Sequence, residues 1–261
     1  MSNPQQLVPP LLIMGHRGAQ EIVPENTMSA FQLALAVGVD AIELDVHLSK
    51  DGALVVMHDA LLDRTTDGRG ALRDYTLAEL KTLNAAASFA GTPQTIPTLQ
   101  EVYDLVQGRV QINVEIKTAY DGTRYPDIEA KIIDLVRQNG AASYTVLSSF
   151  HFPILADLQT QAPAIKRYAI VARAYFQTID PAQPALVAAD LAARGFDWVA
   201  IHKGYLTQPL VDTLHAHDIT VHTWVINEAP ELWSFVEMGV DAITTDRPDQ
   251  LVPLYKQQRR V

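Results

Sequence analysis

Between Asp40 and Asp59 the chain alternates apolar and ionisable positions, with Ile42, Leu44, Val46 and Leu48 on one face and Glu43, Asp45 and His47 on the other. A period of two is that of a strand whose faces meet different surroundings. Asp51-Gly52 follows, a dipeptide that tolerates positive φ, so the stretch reads as a hairpin closed by a two-residue type I′ turn. In that register Lys50 stands opposite Ala53 and Asp45 opposite His58, unless a bulge shifts the ladder. Two carboxylates and an imidazole then converge on one patch.

Apolar runs of strand length recur along the chain, with helical stretches between them. Predicted strands are Leu11–Met14, the stretch ending at Leu48, Gln111–Lys117, Tyr144–Ser148, Lys166–Val171, Trp198–His202, Thr220–Trp224 and Ala242–Thr245. The predicted helices are Met28–Val37, Pro126–Gln138, Pro153–Thr160, Pro184–Arg194, Gln208–His217, Ala229–Met238 and Pro248–Gln257, the first capped by Asn26 or Thr27 and closed by Gly38. Eight such units in about 250 residues match a parallel (β/α)8 TIM barrel. The rival is a doubly wound open sheet, but Gly15-His-Arg-Gly18 lacks the G-x-G-x-x-G spacing of a dinucleotide site.

Residues 60–110 break the rhythm with a turn-rich Asp63–Gly70, a short helix near Leu77–Leu83 and another near Leu99–Val106. This is read as a small insertion between barrel strands 2 and 3, within a single domain spanning 1–261. Forty-eight per cent apolar content excludes wholesale disorder, and a formal charge of −10 argues against nucleic acid or an anionic membrane surface as a partner. With no cysteine there is no disulfide and no thiolate chemistry. Met1–Pro10 has neither a basic nor a long apolar region, so no secretion signal is expected, no stable membrane association, and a cytoplasmic location.

The acidic pair changes the picture. Two carboxylates about 4 Å apart repel by about 4 kcal/mol at an effective dielectric near 20, enough to force a proton onto one of them or to call for a cation. Hard oxygen ligands suit Mg2+ or Ca2+ better than zinc. The plain alternative is the charged outer face of an edge strand. In a barrel, however, the C-terminal strand ends surround one pocket, and there the chain sets His16, Arg17, Glu43, Asp45, His58, Glu115 and Lys117. Three carboxylates form a cation site, and Arg17 with Lys117 forms a rim suited to phosphate.

These residues bring a family into view. His16-Arg-Gly18, Pro24-Glu-Asn-Thr27, Glu43-Leu-Asp45, Lys50-Asp-Gly52, His58-Asp59, Asp63-Arg-Thr-Thr66, Glu115-Ile-Lys117, Thr223-Trp224 with Asn227, and Thr245-Asp246 before Pro248 resemble, in this order, the glycerophosphodiester phosphodiesterases. The resemblance covers about Leu11 to Pro253. It implies a TIM barrel and metal-dependent hydrolysis of small glycerophosphodiesters to sn-glycerol 3-phosphate and an alcohol. It also implies Glu43, Asp45 and Glu115 as ligands to one divalent cation (Mg2+ or Ca2+, with Mn2+ a third candidate), His16 and His58 as the acid/base pair, and Arg17 and Lys117 as phosphate contacts. The attacking oxygen is either the glycerol 2-hydroxyl, as the family suggests, or water. The alcohol, the choice of metal, the oligomeric state and the order in which the histidines act are left open.

Other residues divide between roles. Glu25 is read either as orienting Arg17 or His16 or as an acid facing the helix dipole, and Asp246 as an N-cap. Trp224 at a strand end walls the substrate pocket, with Phe150 a further wall candidate, whereas His222, deeper in, is a hydrogen-bonded core residue. His47 lies beyond Asp45 and is left outside the catalytic set. Arg64, Thr65 and Thr66 are read as a polar loop, with a buttress for His58 as the alternative that the motif match raises. The rival functions are a lysophospholipase D or sphingomyelinase D-like phosphodiesterase and a non-catalytic phosphate-ester binding protein.

Overall fold

All eight residues of one strand, β2 (Ala41–Leu48), are buried, although every second one is polar or apolar in turn. That pattern requires a strand covered on both faces. The computed structural model, which describes residues 10–259, supplies both covers. Residues 1–9, which include most of the stretch read as free of a secretion signal, and residues 260–261 lie outside the described residues.

The strands are β1 (Leu12–Gly15), β2, β3 (Leu54–Val56), β4 (Gln111–Ile116), β5 (Thr145–Ser149), β6 (Lys166–Val171), β7 (Trp198–His202), β8 (Thr220–Trp224) and β9 (Ala242–Thr245). All except β3 pair in parallel, in the cyclic order β1, β2, β4, β5, β6, β7, β8, β9, and β9 pairs with β1 to close the barrel. The helices are α1 (Met28–Val37), α2 (Leu77–Leu80), α3 (Leu99–Val106), α4 (Ile128–Gln138), α5 (Phe152–Gln161), α6 (Arg173–Phe176), α7 (Pro184–Ala193), α8 (Gln208–Ala216), α9 (Ala229–Met238) and α10 (Pro248–Arg259). The predicted TIM barrel is therefore the fold.

The apolar face of β2, Ile42, Leu44, Val46 and Leu48, joins the core between barrel and helices, where it meets Phe31 of α1 and Ile112 of β4. Each such side chain contributes roughly 1.5–3 kcal/mol of hydrophobic stabilisation on burial. The other face points to the barrel axis. Because β2 and β4 are parallel neighbours, Asp45 stands opposite Glu115 and Glu43 opposite Asn113. Farther round the barrel the axis is filled by Val146, Tyr168, Ile170 and Ala200.

Strand β3 lies outside the barrel, antiparallel to β2, and its register differs from the expected one. Leu48 pairs with Leu54 and Val46 with Val56, and Met57 N donates to Asp45 O at 3.0 Å, so Asp45 faces Met57 rather than His58. The loop has three residues, Lys50, Asp51 and Gly52, because Gly52 N donates to Ser49 O at 2.9 Å and Gly52 adopts φ 80°. Ser49 Oγ fixes that choice by accepting from Ala53 N at 2.8 Å and donating to Asp51 at 2.6 Å. A turn followed by a left-handed glycine is the standard three-residue hairpin solution. The insertion beyond has its own small core of Val55, Met57, Leu62, Leu72, Leu80 and Ile96. Its helices α2 and α3 each begin with a capping box, Thr76 with Glu79 and Thr98 with Glu101. Among the described residues no helix is long and apolar enough to cross a membrane.

Candidate active site

Strand β1 ends at Gly15, and His16 N continues its ladder by donating to Thr245 O at 2.8 Å. The chain then turns through Arg17 in the left-handed region at φ 48° and Gly18 at φ 87°. A Cβ on Gly18 would stand 2.6 Å from the backbone of Ala30, so α1 packs directly against this loop. Arg17 N donates to Glu43 at 2.8 Å, and Asn26 N to Arg17 O at 3.0 Å. Asn26 is itself left-handed at φ 54° and donates from Nδ2 to Asp45 Oδ2 at 2.8 Å. Left-handed non-glycine residues cost roughly 1–2 kcal/mol each, and here the contacts they make are with the acidic face of β2.

Glu43, Asp45 and Glu115 are all buried, and each offers an oxygen within 4.8 Å of the others. Lys117 Nζ lies 2.5 Å from Glu115 and 2.9 Å from Asp45, while Arg17 Nε lies 3.5 Å from Asp45. Burial raises the Asp45 pKa, but Lys117 and Arg17 more than offset this and hold it below the usual carboxylate range. Burial also pushes Glu43 up, Asp45 and Glu115 push the same way, and Arg17 does not compensate, so its pKa stands well above normal. Ionising all three acids against two cations would leave one negative charge unbalanced, and Glu43 is pushed toward its protonated form instead. Asp45 Oδ1, buried, accepts no hydrogen bond of good geometry, and the Lys117 ammonium lies 2.9 Å from it. Three converging carboxylates, one of them short of a counter-charge, fit a hard divalent cation.

Each histidine of the expected pair has its own carboxylate. His16 Nδ1 lies 2.6 Å from Asp246 Oδ1, and Asp246 Oδ2 accepts from Asn227 Nδ2 at 2.7 Å. His58 Nδ1 lies 2.6 Å from Asp59 Oδ1, and Asp59 accepts from Arg64 Nε at 2.6 Å. Asp59 is held down at about 2, as burial is outweighed by its bonds to Arg64 and His58. Burial lowers the His58 pKa, with Lys117 and Arg17 adding to the effect against Asp45 and Asp59. Asp246 is thus not the predicted N-cap: α10 begins two residues on at Pro248, and the Asp246 side chain turns to His16 and Asn227.

His16, Arg17, Glu43, His58, Glu115 and Trp224 line one cavity of 270 Å3, whose apolar wall includes Phe150, Tyr168 and Ile170. Asp45 lies beneath it at 1 % exposure. Lys117 faces an adjoining cavity of 340 Å3, lined also by His58, Glu115, Thr118 and His151. Trp224 meets Phe150 edge to face at 5.7 Å and His202 at 5.0 Å. His222 shares a hydrogen with Thr244 Oγ1 at 2.7 Å, and burial lowers its pKa to about 3. His47 is fully enclosed between Tyr125 Oη at 2.9 Å and His58 O at 3.0 Å, so it holds the His58 backbone, and burial lowers it to about 4. Glu25 proves to face Arg17, at 2.8 Å, rather than a helix terminus alone.

Sequence reasoning missed Asp59, Asp246 and Gln20 as partners of the histidines, the last with Nε2 2.9 Å from His16 Nδ1. For Asp59 the adjacent His58 was a signal; for Asp246 and Gln20 none exists in the local pattern.

Residues 16–250 match the glycerophosphoryl diester phosphodiesterase family. The chain is 34 % identical over 250 residues to a glycerophosphodiester phosphodiesterase of Caldanaerobacter subterraneus subsp. tengcongensis, covering 94 % of this chain and 98 % of that one. It is 36 % identical over 252 residues to one of Bacillus altitudinis, covering 95 % and 99 %. Among solved structures it resembles a glycerophosphodiester phosphodiesterase of Agrobacterium tumefaciens (TM-score 0.77, 30 % identity, 92 % and 97 % covered). It also resembles an Oleispira antarctica phosphodiesterase in complex with its product sn-glycerol-3-phosphate (TM-score 0.81, 26 % identity, 94 % and 96 % covered). With barrel, acid cluster and family match in agreement, this chain belongs to the glycerophosphoryl diester phosphodiesterase family and is an enzyme of that class.

Proposed function

We propose that the protein, acting as one domain over residues 1–261, hydrolyses small glycerophosphodiesters to sn-glycerol 3-phosphate and an alcohol. The observation that carries this reading is that two histidines, each tied to its own carboxylate at 2.6 Å, face one cavity above three converging acids. The product bound in the Oleispira relative supports it.

Glu43, Asp45 and Glu115 would hold one divalent cation, Mg2+ or Ca2+, which when bound supplies charge neutralisation to the phosphoryl oxygens. Arg17 would contact the phosphate from the main cavity and Lys117 from the adjoining one, and Glu43 would release its proton once a bound cation supplies the counter-charge. One histidine removes the proton from the attacking oxygen as its bond to phosphorus forms. The other gives a proton to the alcohol oxygen as the ester bond breaks. Asp59 and Asp246 keep Nδ1 of each ring protonated, which leaves Nε2 for this exchange. Trp224 and Phe150 provide an apolar wall for the organic part of the ester.

Purified protein with Mg2+ or Ca2+ should release choline and sn-glycerol 3-phosphate from glycerophosphocholine, with much slower turnover of lysophosphatidylcholine. His16→Ala and His58→Ala should each lower kcat by roughly 10²-fold or more. Binding of the diester without release of alcohol would replace this reading with that of a binding protein.

A further inference from the structure

Arg17 and His58 are held by different carboxylates, and a single guanidinium grips both. Arg64, in the loop after β3, donates to Glu25 through Nη1 at 2.7 Å and Nη2 at 2.8 Å, and to Asp59 through Nε at 2.6 Å and Nη2 at 3.1 Å. Glu25 accepts from Arg17 Nη1 at 2.8 Å, and Asp59 bonds His58 Nδ1 at 2.6 Å. Five side chains form one continuous run, Arg17–Glu25–Arg64–Asp59–His58.

We infer that Arg64 is a positioning residue that sets Arg17 and His58 relative to one another, so that the insertion between barrel strands 2 and 3 determines the geometry of the reaction. The inference rests on reading Arg17 as a phosphate contact and His58 as an acid/base group. The guanidinium is planar and carries five donors in a fixed fork, so its two edges hold two carboxylates at a set angle. A lysine ammonium cannot do that.

The competing view is an ordinary surface ion pair, since the Arg64 side chain is 46 % exposed and such pairs add little to stability. The two carboxylates decide against it. Glu25 and Asp59 are only 15 % and 28 % exposed, and each spends its remaining contact on a residue that lines the cavity. What Arg64 contributes is therefore geometry. Without it, Glu25 loses two of its donors, and Arg17, already 3.5 Å from Asp45, is free to collapse onto the acid cluster. A misplacement of about 1 Å in a reacting group is worth about 10²-fold in rate.

The test compares Arg64→Ala, Arg64→Lys and the parent protein on glycerophosphocholine with Mg2+, alongside 15N spectra of the Arg17 Nε and His58 ring signals. Expected is a fall in kcat of roughly 10- to 100-fold for Arg64→Ala, with an unchanged thermal midpoint and circular dichroism. Guanidinium ion at low millimolar concentration, entering the open space left by the side chain, should restore much of the loss, whereas ammonium should not. Arg64→Lys should remain impaired. The Arg17 and His58 signals should both move in Arg64→Ala, although only His58 lies on the Asp59 side. An Arg64→Ala kcat within threefold of the parent overturns the inference, as does movement of one signal alone or of neither. If the parent protein releases no alcohol, the proposed function fails, and the paired 15N response still decides whether Arg64 couples the two residues.

Discussion

His16 and Asp246 are 230 residues apart, yet Nδ1 of the first lies 2.6 Å from Oδ1 of the second. The closing pair of the barrel, β1 against β9, brings them together. Asp246 is held in turn by Asn227 through both its side chain and its amide, at 2.7 and 2.9 Å. An imidazole fixed this way keeps one tautomer and one orientation.

Asp246→Asn should therefore leave the fold intact and lower kcat by about 10²-fold or more, because an amide no longer selects the Nδ1–H tautomer. Steady-state kinetics with unchanged circular dichroism would establish this. A kcat near that of the parent would mean that Asp246 is only structural.

Chelation should remove activity and make stability respond to pH in a specific way. With no cation, the raised pKa of Glu43 means that the native state binds more protons than the unfolded one above pH 4.5, the ordinary glutamate value. Stability contributed at lower pH is then lost as pH rises from there through the native pKa. A cation at 100 times its Kd should add about 2.7 kcal/mol and flatten that decline. Thermal melts with EDTA, Mg2+ or Ca2+ across pH 4.5–8 test both statements, and Glu115→Gln should shift the cation requirement upward.

Acid should act through His47 and His222. Their pKa values are lowered to about 4 and about 3 from 6.5, so below pH 6.5 the unfolded chain takes up protons that the native protein refuses. Stability falls as pH drops from 6.5 toward those values, by on the order of 3 kcal/mol for His47. His47→Gln should show a shallower acid limb in urea titrations at pH 4.5 and 7. An unchanged slope would show that His47 does not stay neutral in the fold.

Trp224→Ala should act on binding more than on chemistry. The indole stands against Phe150 and His202 at the cavity wall, so KM should rise about tenfold with kcat within about threefold. An equal fall in kcat would place Trp224 among the groups that act in the transition state.

Much of this was legible in the residues. The alternation of Ile42 to Leu48 reported a strand with two unlike faces, and the repeated strand and helix periods reported the barrel. The i, i+2 spacing of Glu43 and Asp45, and of Glu115 and Lys117, put each pair on one face whatever the rest of the chain did. The hairpin register was misread because Asp-Gly allows either a two- or a three-residue loop, and the choice lay in the Ser49 hydroxyl. Asp246 was misread because Asp before Arg-Pro is an ordinary helix start when only its neighbours are considered.

From the sequence alone came the periods, the face on which each side chain lies, and the kinds of chemistry gathered at strand ends, because backbone geometry ties these to local spacing. Tertiary structure alone decided which distant groups meet: Asp246 with His16 across the closing seam of the barrel, and Arg64 with Glu25 where the loop after β3 reaches the segment between β1 and α1. Such meetings depend on the path of loops and the closure of the sheet, which bring together residues that local spacing never relates.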